Sequence, residues 1–220
     1  MPKISQYYQK RFSKQDNLIR ANAWEVLCKF FLQKYIKKTD TVIDFGGGYC
    51  EFINNITSQK KIVVDINPDA RRFANKEVRV ISSKATDLHS SLNNKVDVVF
   101  MSNFLEHLDS KDEVVATLEK ANQVLKKGGR LIVIQPNIDL VRERYWDFID
   151  HKVALNTKSI KEVLSITNFH IDYFAERFLP YTTKDWKFFF FTNKLLYFYL
   201  SVPPGLRPFA GQSFVVARKK

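Results

Sequence analysis

The run Thr41-Val42-Ile43-Asp44-Phe45-Gly46-Gly47-Gly48-Tyr49-Cys50-Glu51-Phe52 constrains the fold more than any other stretch of this chain. Its first residues are apolar and β-branched, as in a buried strand; three glycines then impose a turn, and Glu51 opens a helical pattern. A second apolar run, Lys61-Ile62-Val63-Val64, ends on Asp65, 21 positions after Asp44. Glycines at such a turn let the backbone approach a ligand closely, and a carboxylate about 20 residues on can take a ribose diol. The pattern predicts a nucleoside-containing cofactor at the carboxyl end of a parallel sheet.

Charge decides which cofactor. A dinucleotide seats its pyrophosphate on the helix N-terminus, usually over a third glycine. Here Gly46 and Gly48 supply the first two glycines, but Glu51 stands at the third position, and Asp44 ends the strand before the turn. Two carboxylates would repel a pyrophosphate at short range. S-adenosylmethionine has no phosphate and carries a cationic sulfonium and ammonium, so the acidic turn favours it over NAD.

The rest of the chain reads as alternating elements. Strands are predicted near 41–45, 61–65, 78–82, 96–102, 130–135 and 169–176, with a last one over Ser213 to Arg218. Helices are predicted near 51–57, 68–75, 111–125 and 159–167, the third opening on the capping-box pattern Ser110-Lys111-Asp112-Glu113. Before them, Ile4 to about Ile36 is predicted helical, with Leu18, Trp24, Leu27, Phe30, Phe31 and Tyr35 on one buried face. Alternation of this kind implies right-handed crossovers and a parallel sheet. At 220 residues and 45% hydrophobic content, one α/β domain with additions is expected. Cys28 and Cys50 are assigned to a helix and to the turn, so no bridge is expected, and no Cys/His set has metal-ligand spacing. The N-terminus has no apolar signal core, which predicts a reducing, cytoplasmic setting.

Between about Asp40 and Asn137 the chain resembles the class I S-adenosylmethionine-dependent methyltransferases of the small bacterial type. The family's D-x-G-x-G-x-G motif appears as Asp44, Gly46 and Gly48, with Cys50 in place of the last glycine. Asp65-Ile66-Asn67-Pro68 looks like the ribose-binding segment, Val96 to Leu108 like the fourth strand and its loop, and Lys127-Gly128-Gly129-Arg130 like the turn into the fifth. The resemblance implies a Rossmann-like α/β fold: a seven-stranded, mostly parallel sheet with an antiparallel last strand. It divides one domain into a helical cap (1–40), a cofactor-binding core (41–137) and acceptor-side elements (138–220). It implies cofactor contacts at Asp44, Gly46, Gly47, Gly48, Asp65, Ile66 and Asn103. Where the family often has an Asp for the adenine amino group this chain has Lys84; Asp87 either serves instead or caps a short helix, with Ala85 and Thr86 meeting adenine through the backbone. Arg11, ahead of the first strand, either pairs with the methionine carboxylate or is an exposed base.

The net charge of +12 sits at the ends. Residues 1–40 hold nine Lys/Arg against three Asp/Glu, residues 177–220 eight against one, and the middle 18 against 19. Nucleic acid is an obvious partner for such basicity. However, Ser102-Asn103-Phe104-Leu105 is not the Asn/Asp-Pro-Pro-aromatic motif of nucleobase amino-group methyltransferases, and neither Cys lies in the loops after the fourth or fifth strands. The segment Trp186 to Pro204 carries Phe188-Phe189-Phe190-Phe191 and Tyr197-Phe198-Tyr199, interrupted by Thr192-Asn193-Lys194 and stopped by Pro203, so it falls short of the ~20 residues of a span. As an insertion before the last strand it either packs on the sheet or covers the acceptor pocket, its basic flanks suiting a lipid-linked acceptor or anionic membrane. Tyr145 to His151 and Arg177 to Lys184 are similar to small bacterial methyltransferases of glycan or lipid-linked glycan assembly.

A hydroxyl acceptor needs help to lose its proton, and His suits that task. His107 follows the fourth strand, in the loop that faces the methyl group in the resembled family, and His151 follows the fifth on the same rim. Each is either a base or a polar loop residue; His89 and His170 are expected to be surface or structural. The expected function is O-methylation of a sugar or lipid-linked glycan-type acceptor. The alternatives are an NAD-dependent oxidoreductase and a non-catalytic, membrane-associated scaffold.

Overall fold

The computed structural model describes residues 14–182 and 193–220. Seven strands form one sheet: β1 (Thr41–Phe45), β2 (Lys60–Val64), β3 (Val78–Ile81), β4 (Val96–Ser102), β5 (Leu125–Pro136), β6 (Phe169–Pro180) and β7 (Ala210–Lys219). Their order is β3-β2-β1-β4-β5-β7-β6. Pairs among β1 to β5 are parallel. β7 enters antiparallel between β5 and β6, giving the mostly parallel sheet with a reversed last strand that was expected.

Three strands are longer than their local patterning indicates, β7 among them, which spans Ala210–Lys219 where Ser213 to Arg218 was expected. β5 begins at Leu125, where Leu125 pairs with Val96, and the register then shifts so that Arg130 pairs with Val98. β6 runs on to Pro180, held by pairing to β7 as far as Ala210. Cross-strand pairing, rather than alternation, sets these boundaries.

Side chains alternate between the two faces of the sheet and build two cores. Val42, Val98 and Phe100 point to one, and Ile43, Val99 and Met101 to the other. The first is covered by α1 (Lys14–Phe30), α2 (Glu51–Asn55) and, further along the chain, the helix Asn193–Ser201, through residues such as Leu27, Phe52 and Leu196. A short α3 (Ala70–Phe73) follows β2. The second core is covered by α4 (Lys111–Val124) and by the helix Thr157–Ile166. Between these two lies α5 (Ile138–Val141), so Thr157–Ile166 is α6 and Asn193–Ser201 is α7.

Only part of the apolar face expected for the N-terminal region is buried. Leu27 is inaccessible and Trp24, Phe31 and Tyr35 pack against the core, but Leu18 is 67% and Phe30 54% exposed. The buried stripe is instead Ala23, Val26 and Leu27, one helical turn apart. Leu18 lies across the helix from that stripe, and Phe30, in the last turn, packs against Tyr197 of α7 with ring centroids 4.2 Å apart and planes tilted by 50°. The capping box at α4 is also modified. Ser110 Oγ accepts from the Glu113 N–H, but Glu113 reaches one residue further back and accepts from the Asp109 N–H at 2.7 Å. Cys28 and Cys50 are free and buried. Among the described residues no helix is long and apolar enough to cross a membrane.

Candidate functional site

The order of strands reverses between β1 and β4, since β2 lies outside one and β5 outside the other. Crevices at such a reversal, at the carboxyl ends of the strands, are where ligands bind in open α/β sheets. A cavity of about 210 Å³ sits there. One wall is Asp44 with the Gly46–Gly48 turn, a second is Arg20 and Trp24 of α1, and a third is Asn103, Glu106 and His107 after β4. Phe148, His151 and Tyr181 close the far end.

The turn adopts the backbone that its glycines permit. Gly46 and Gly48 have φ of +71° and +52°. At Gly47 a Cβ would lie 2.2 Å from Val63 Cγ2. Cys50, in place of the family's last glycine, takes φ 59°, a left-handed conformation that costs an L-residue about 1–2 kcal/mol. Burial of its side chain, with Sγ 3.5 Å from the Ala70 carbonyl oxygen, offsets that cost. Asp65 anchors the turn: Oδ2 accepts from the Gly48 N–H at 2.9 Å and Oδ1 from the Asn67 N–H at 2.7 Å.

The electrostatics differ from the sequence expectation at one residue. Glu51 is not a bare charge, because the Nε–H of Arg20 donates to its Oε1 at 2.5 Å. The repulsion of a phosphate therefore falls mainly on Asp44, which is 3% exposed. Burial, then Asp65 and Glu51, push the Asp44 carboxyl well above the usual carboxylate range. Burial also raises Asp65, opposed by the N–H groups of Asn67 and Gly48. Asp44 and Glu51 line the cavity with one matched cation, whereas Asp65 does not line it and holds the turn; this acidic set suits the cationic S-adenosylmethionine where it would repel a pyrophosphate.

A stability prediction follows for Asp44. A carboxyl whose pKa is raised on folding contributes stability below its unfolded value and loses it as pH rises through the folded value. Asp44→Asn should therefore stabilise the ligand-free chain by about 1 kcal/mol or more at neutral pH, shifting Tm by roughly 2–4 °C per kcal/mol. The gain over wild type should shrink in acid, and cofactor binding should weaken. Thermal denaturation of both chains across pH checks this; a gain that does not change with pH would rule out the buried charge as its cause.

The other sequence-selected residues divide. Asn103 lines the cavity, with φ 47° and its N–H donating to the Ile134 carbonyl at 2.9 Å. Ile66, 55% exposed, and Ala85, Thr86 and Asp87, in a 3-10 turn after β3, flank the sheet and do not line this cavity. Asp87 caps no helix in that stretch; the Ser90–Leu92 turn is capped by His89, and Asp87 accepts from the Thr86 hydroxyl. Lys84 turns to Glu113, at 3.0 Å. Arg11 lies outside the described residues. The α1 cation that reaches the cavity is Arg20, which the sequence reading did not select although Arg20 and Trp24 share a face at i, i+4.

His107 and His151 are brought together, with ring centroids 5.0 Å apart. The loop after β5 docks on the loop after β4 through backbone bonds: the Lys152 and Val153 N–H groups both donate to the Glu106 carbonyl, at 2.8 and 3.2 Å. Tyr145, fully buried, donates its hydroxyl to the Val153 carbonyl, and Tyr181 donates to the Tyr145 carbonyl at 3.3 Å. Glu106, also unselected, is 2% exposed, and burial raises its carboxyl to about 7 against the pull of His107.

Strand order, glycine turn and carboxylates together define a Rossmann-like nucleoside-cofactor enzyme fold of the methyltransferase kind. A family model described as a methyltransferase domain matches residues 17–198, and the chain belongs to that family. Its cofactor is S-adenosylmethionine, and the NAD reading is not favoured. A S-adenosylmethionine-dependent methyltransferase from Archaeoglobus fulgidus has the same fold with a TM-score of 0.65 and 19% identity, over 98% of this chain and 100% of that one. One from Thermotoga maritima gives 0.66 and 16%, over 99% and 96%. A Haloferax volcanii methyltransferase, solved with the Trm112 methyltransferase activator, gives 0.64 and 16%, over 93% of each. No curated protein matches the sequence.

Proposed function

We propose that the chain methylates an oxygen of a sugar or lipid-linked glycan-type acceptor. The observation that carries this reading is that the Gly46–Gly48 turn and the His107–His151 pair line one and the same cavity. S-adenosylmethionine supplies an already activated methyl group, so the protein gains most by aligning the acceptor in line with it. In this reading Asp44 would meet the cationic end of the cofactor, Asp65 would hold the ribose, and Asn103 would border the methionine portion. His107, with His151 as the alternative, helps the acceptor hydroxyl lose its proton. Bound there, the cofactor would supply the methyl carbon, with its sulfur keeping the electron pair of the C–S bond. The aromatic groups of Trp24, Phe148 and Tyr181 offer apolar faces for a sugar ring or lipid chain. Purified chain incubated with labelled cofactor and fractionated bacterial glycans and glycolipids tests this. Label that is resistant to mild base and confined to an ether would support it; label only on nitrogen or sulfur would remove the oxygen acceptor.

A lipid-linked acceptor also predicts contact with membrane. Tyr197 and Phe198 of α7 are 41% and 72% exposed, and Leu206 and Phe209 beyond it are 75% and 69% exposed, within the basic C-terminal region. Leu196 and Tyr199 face the core instead, so α7 presents an apolar side both inward and outward. The four phenylalanines Phe188 to Phe191 lie outside the described residues. Interfacial binding combines apolar burial with attraction to anionic lipid. The chain should float with anionic vesicles, and Leu195→Ser/Phe198→Ser should cut partitioning by about tenfold or more, given 1.5–3 kcal/mol per buried large apolar side chain. Equal recovery of both chains from vesicles would remove α7 from any lipid contact.

A further inference from the structure

We propose that Glu106, His107 and His151 form a site for a divalent transition-metal cation of the zinc class, with an open position toward the cavity. One ligand atom from each of the three residues lies within 4.8 Å of the other two. The trio escapes sequence inspection because its donors are two neighbours and a third residue 44 positions on, joined only by the docking of two loops.

The polarity of the cluster asks for a cation. His107 Nδ1 is 3.1 Å from the Asp150 carbonyl oxygen, which can only accept, so Nδ1 carries the proton and Nε2 presents a lone pair. The Asp150 carboxylate, with Oδ2 3.5 Å from the same Nδ1, reinforces that tautomer. Imidazoles that bind metals are held in this way, the second ring nitrogen donating to a carbonyl or carboxylate. Nε2 lies 4.0 Å from Glu106 Oε1. Glu106 is 2% exposed, lines the cavity, and neither of its carboxylate oxygens has a hydrogen-bond partner among the described residues. A buried carboxyl group facing a lone pair needs a proton or a cation between them. A cation there would convert both groups into ligands at the cost of small side-chain rotations.

Two imidazoles and one carboxylate favour zinc, cobalt or manganese over magnesium or calcium, which prefer all-oxygen shells. Three protein ligands with a free position are the pattern of catalytic rather than structural zinc. This inference rests on the oxygen acceptor proposed above: the free position would take the acceptor hydroxyl, whose proton then leaves more readily to solvent. His107 would then hold the cation rather than the proton.

The test is calorimetric titration of zinc chloride into the untagged full chain after chelator treatment, with circular dichroism to confirm each variant's fold. Wild type should take up a single Zn²⁺. Glu106→Gln, His107→Gln and His151→Ala should each lower the affinity by at least about tenfold, since outer partners of a metal alone are worth that much. His89→Ala/His170→Ala should bind as wild type does. No uptake by wild type, or uptake unchanged in the folded site variants, would overturn the site. Methyl transfer by the same preparations separates this result from the acceptor proposal. Full transfer by metal-free chain would sink the cation and keep the transferase; zinc uptake with no transfer to oxygen would keep the site and sink the acceptor class.

Discussion

Replacing His107 with alanine should lower turnover by about 10²–10⁴-fold, the usual contribution of a group that helps the acceptor lose its proton, whether directly or by holding a cation, while cofactor affinity stays nearly intact. The split between the two effects follows from placement. His107 is on the loop after β4, opposite the glycine turn, and its contacts run to Asp150 and His151 rather than to Asp44 or Asp65. Its loss should leave the carboxylates and the Arg20–Glu51 pair on the cofactor side undisturbed. Single-turnover kinetics with saturating cofactor, beside calorimetric cofactor titration, measure both quantities. Wild-type rates in both His107→Ala and His151→Ala would mean that transfer proceeds by alignment alone. A parallel loss of cofactor affinity would mean instead that the loop as a whole had moved.

The two sides of this cavity were not equally legible in the sequence. The glycine turn and Asp65 belong to one βαβ unit, where local rules apply: strand patterning, the turn residues and the spacing of the carboxylate lie within 25 residues. Arg20 and Glu51 are 31 residues apart, and nothing local in either segment marks them as partners. The pairing also weakens the part of the charge argument that rested on Glu51 and leaves it to Asp44, since a charge read in isolation says nothing about its counter-ion. Glu106 was hidden more deeply. A glutamate in a polar loop ordinarily reads as exposed. It is buried because Lys152 and Val153 dock their N–H groups on its carbonyl, 46 and 47 residues on, and Tyr145 clamps the same loop from behind. His107 and His151 were singled out separately, by their loops; their proximity is a product of that docking. The same reasoning covers the fold. Interiors of strands were readable from their apolar runs, whereas the ends of β5 and β6 are set by partners far away in the chain.

The second large effect is expected at Phe100, where fold and cofactor side meet. Phe100 stands on β4, 1% exposed, and stacks on Phe52 of α2 with ring centroids 3.6 Å apart and planes 14° from parallel. Trp24 of α1 meets it edge-on at 6.1 Å. All three rings border the cavity, so Phe100 fixes the N-terminal helix and the helix after the glycine turn against the same strand. Phe100→Ala removes both ring contacts and leaves a hole between the two helices, at a cost of about 3–5 kcal/mol. For a domain of this size that corresponds to a fall in Tm on the order of 10 °C, a large share of a typical total stability of about 5–15 kcal/mol. Trp24 and Arg20 sit one helical turn apart on α1, so loosening Trp24 should also release Arg20 from Glu51 and return an unmatched carboxylate to the turn. Cofactor should therefore restore less stability to Phe100→Ala than to wild type. Differential scanning fluorimetry with and without S-adenosylmethionine reads both effects. A Tm within about 2 °C of wild type, which for this chain length is under about 1 kcal/mol, would show that α1 and α2 are held by the remainder of the core and not by this stack.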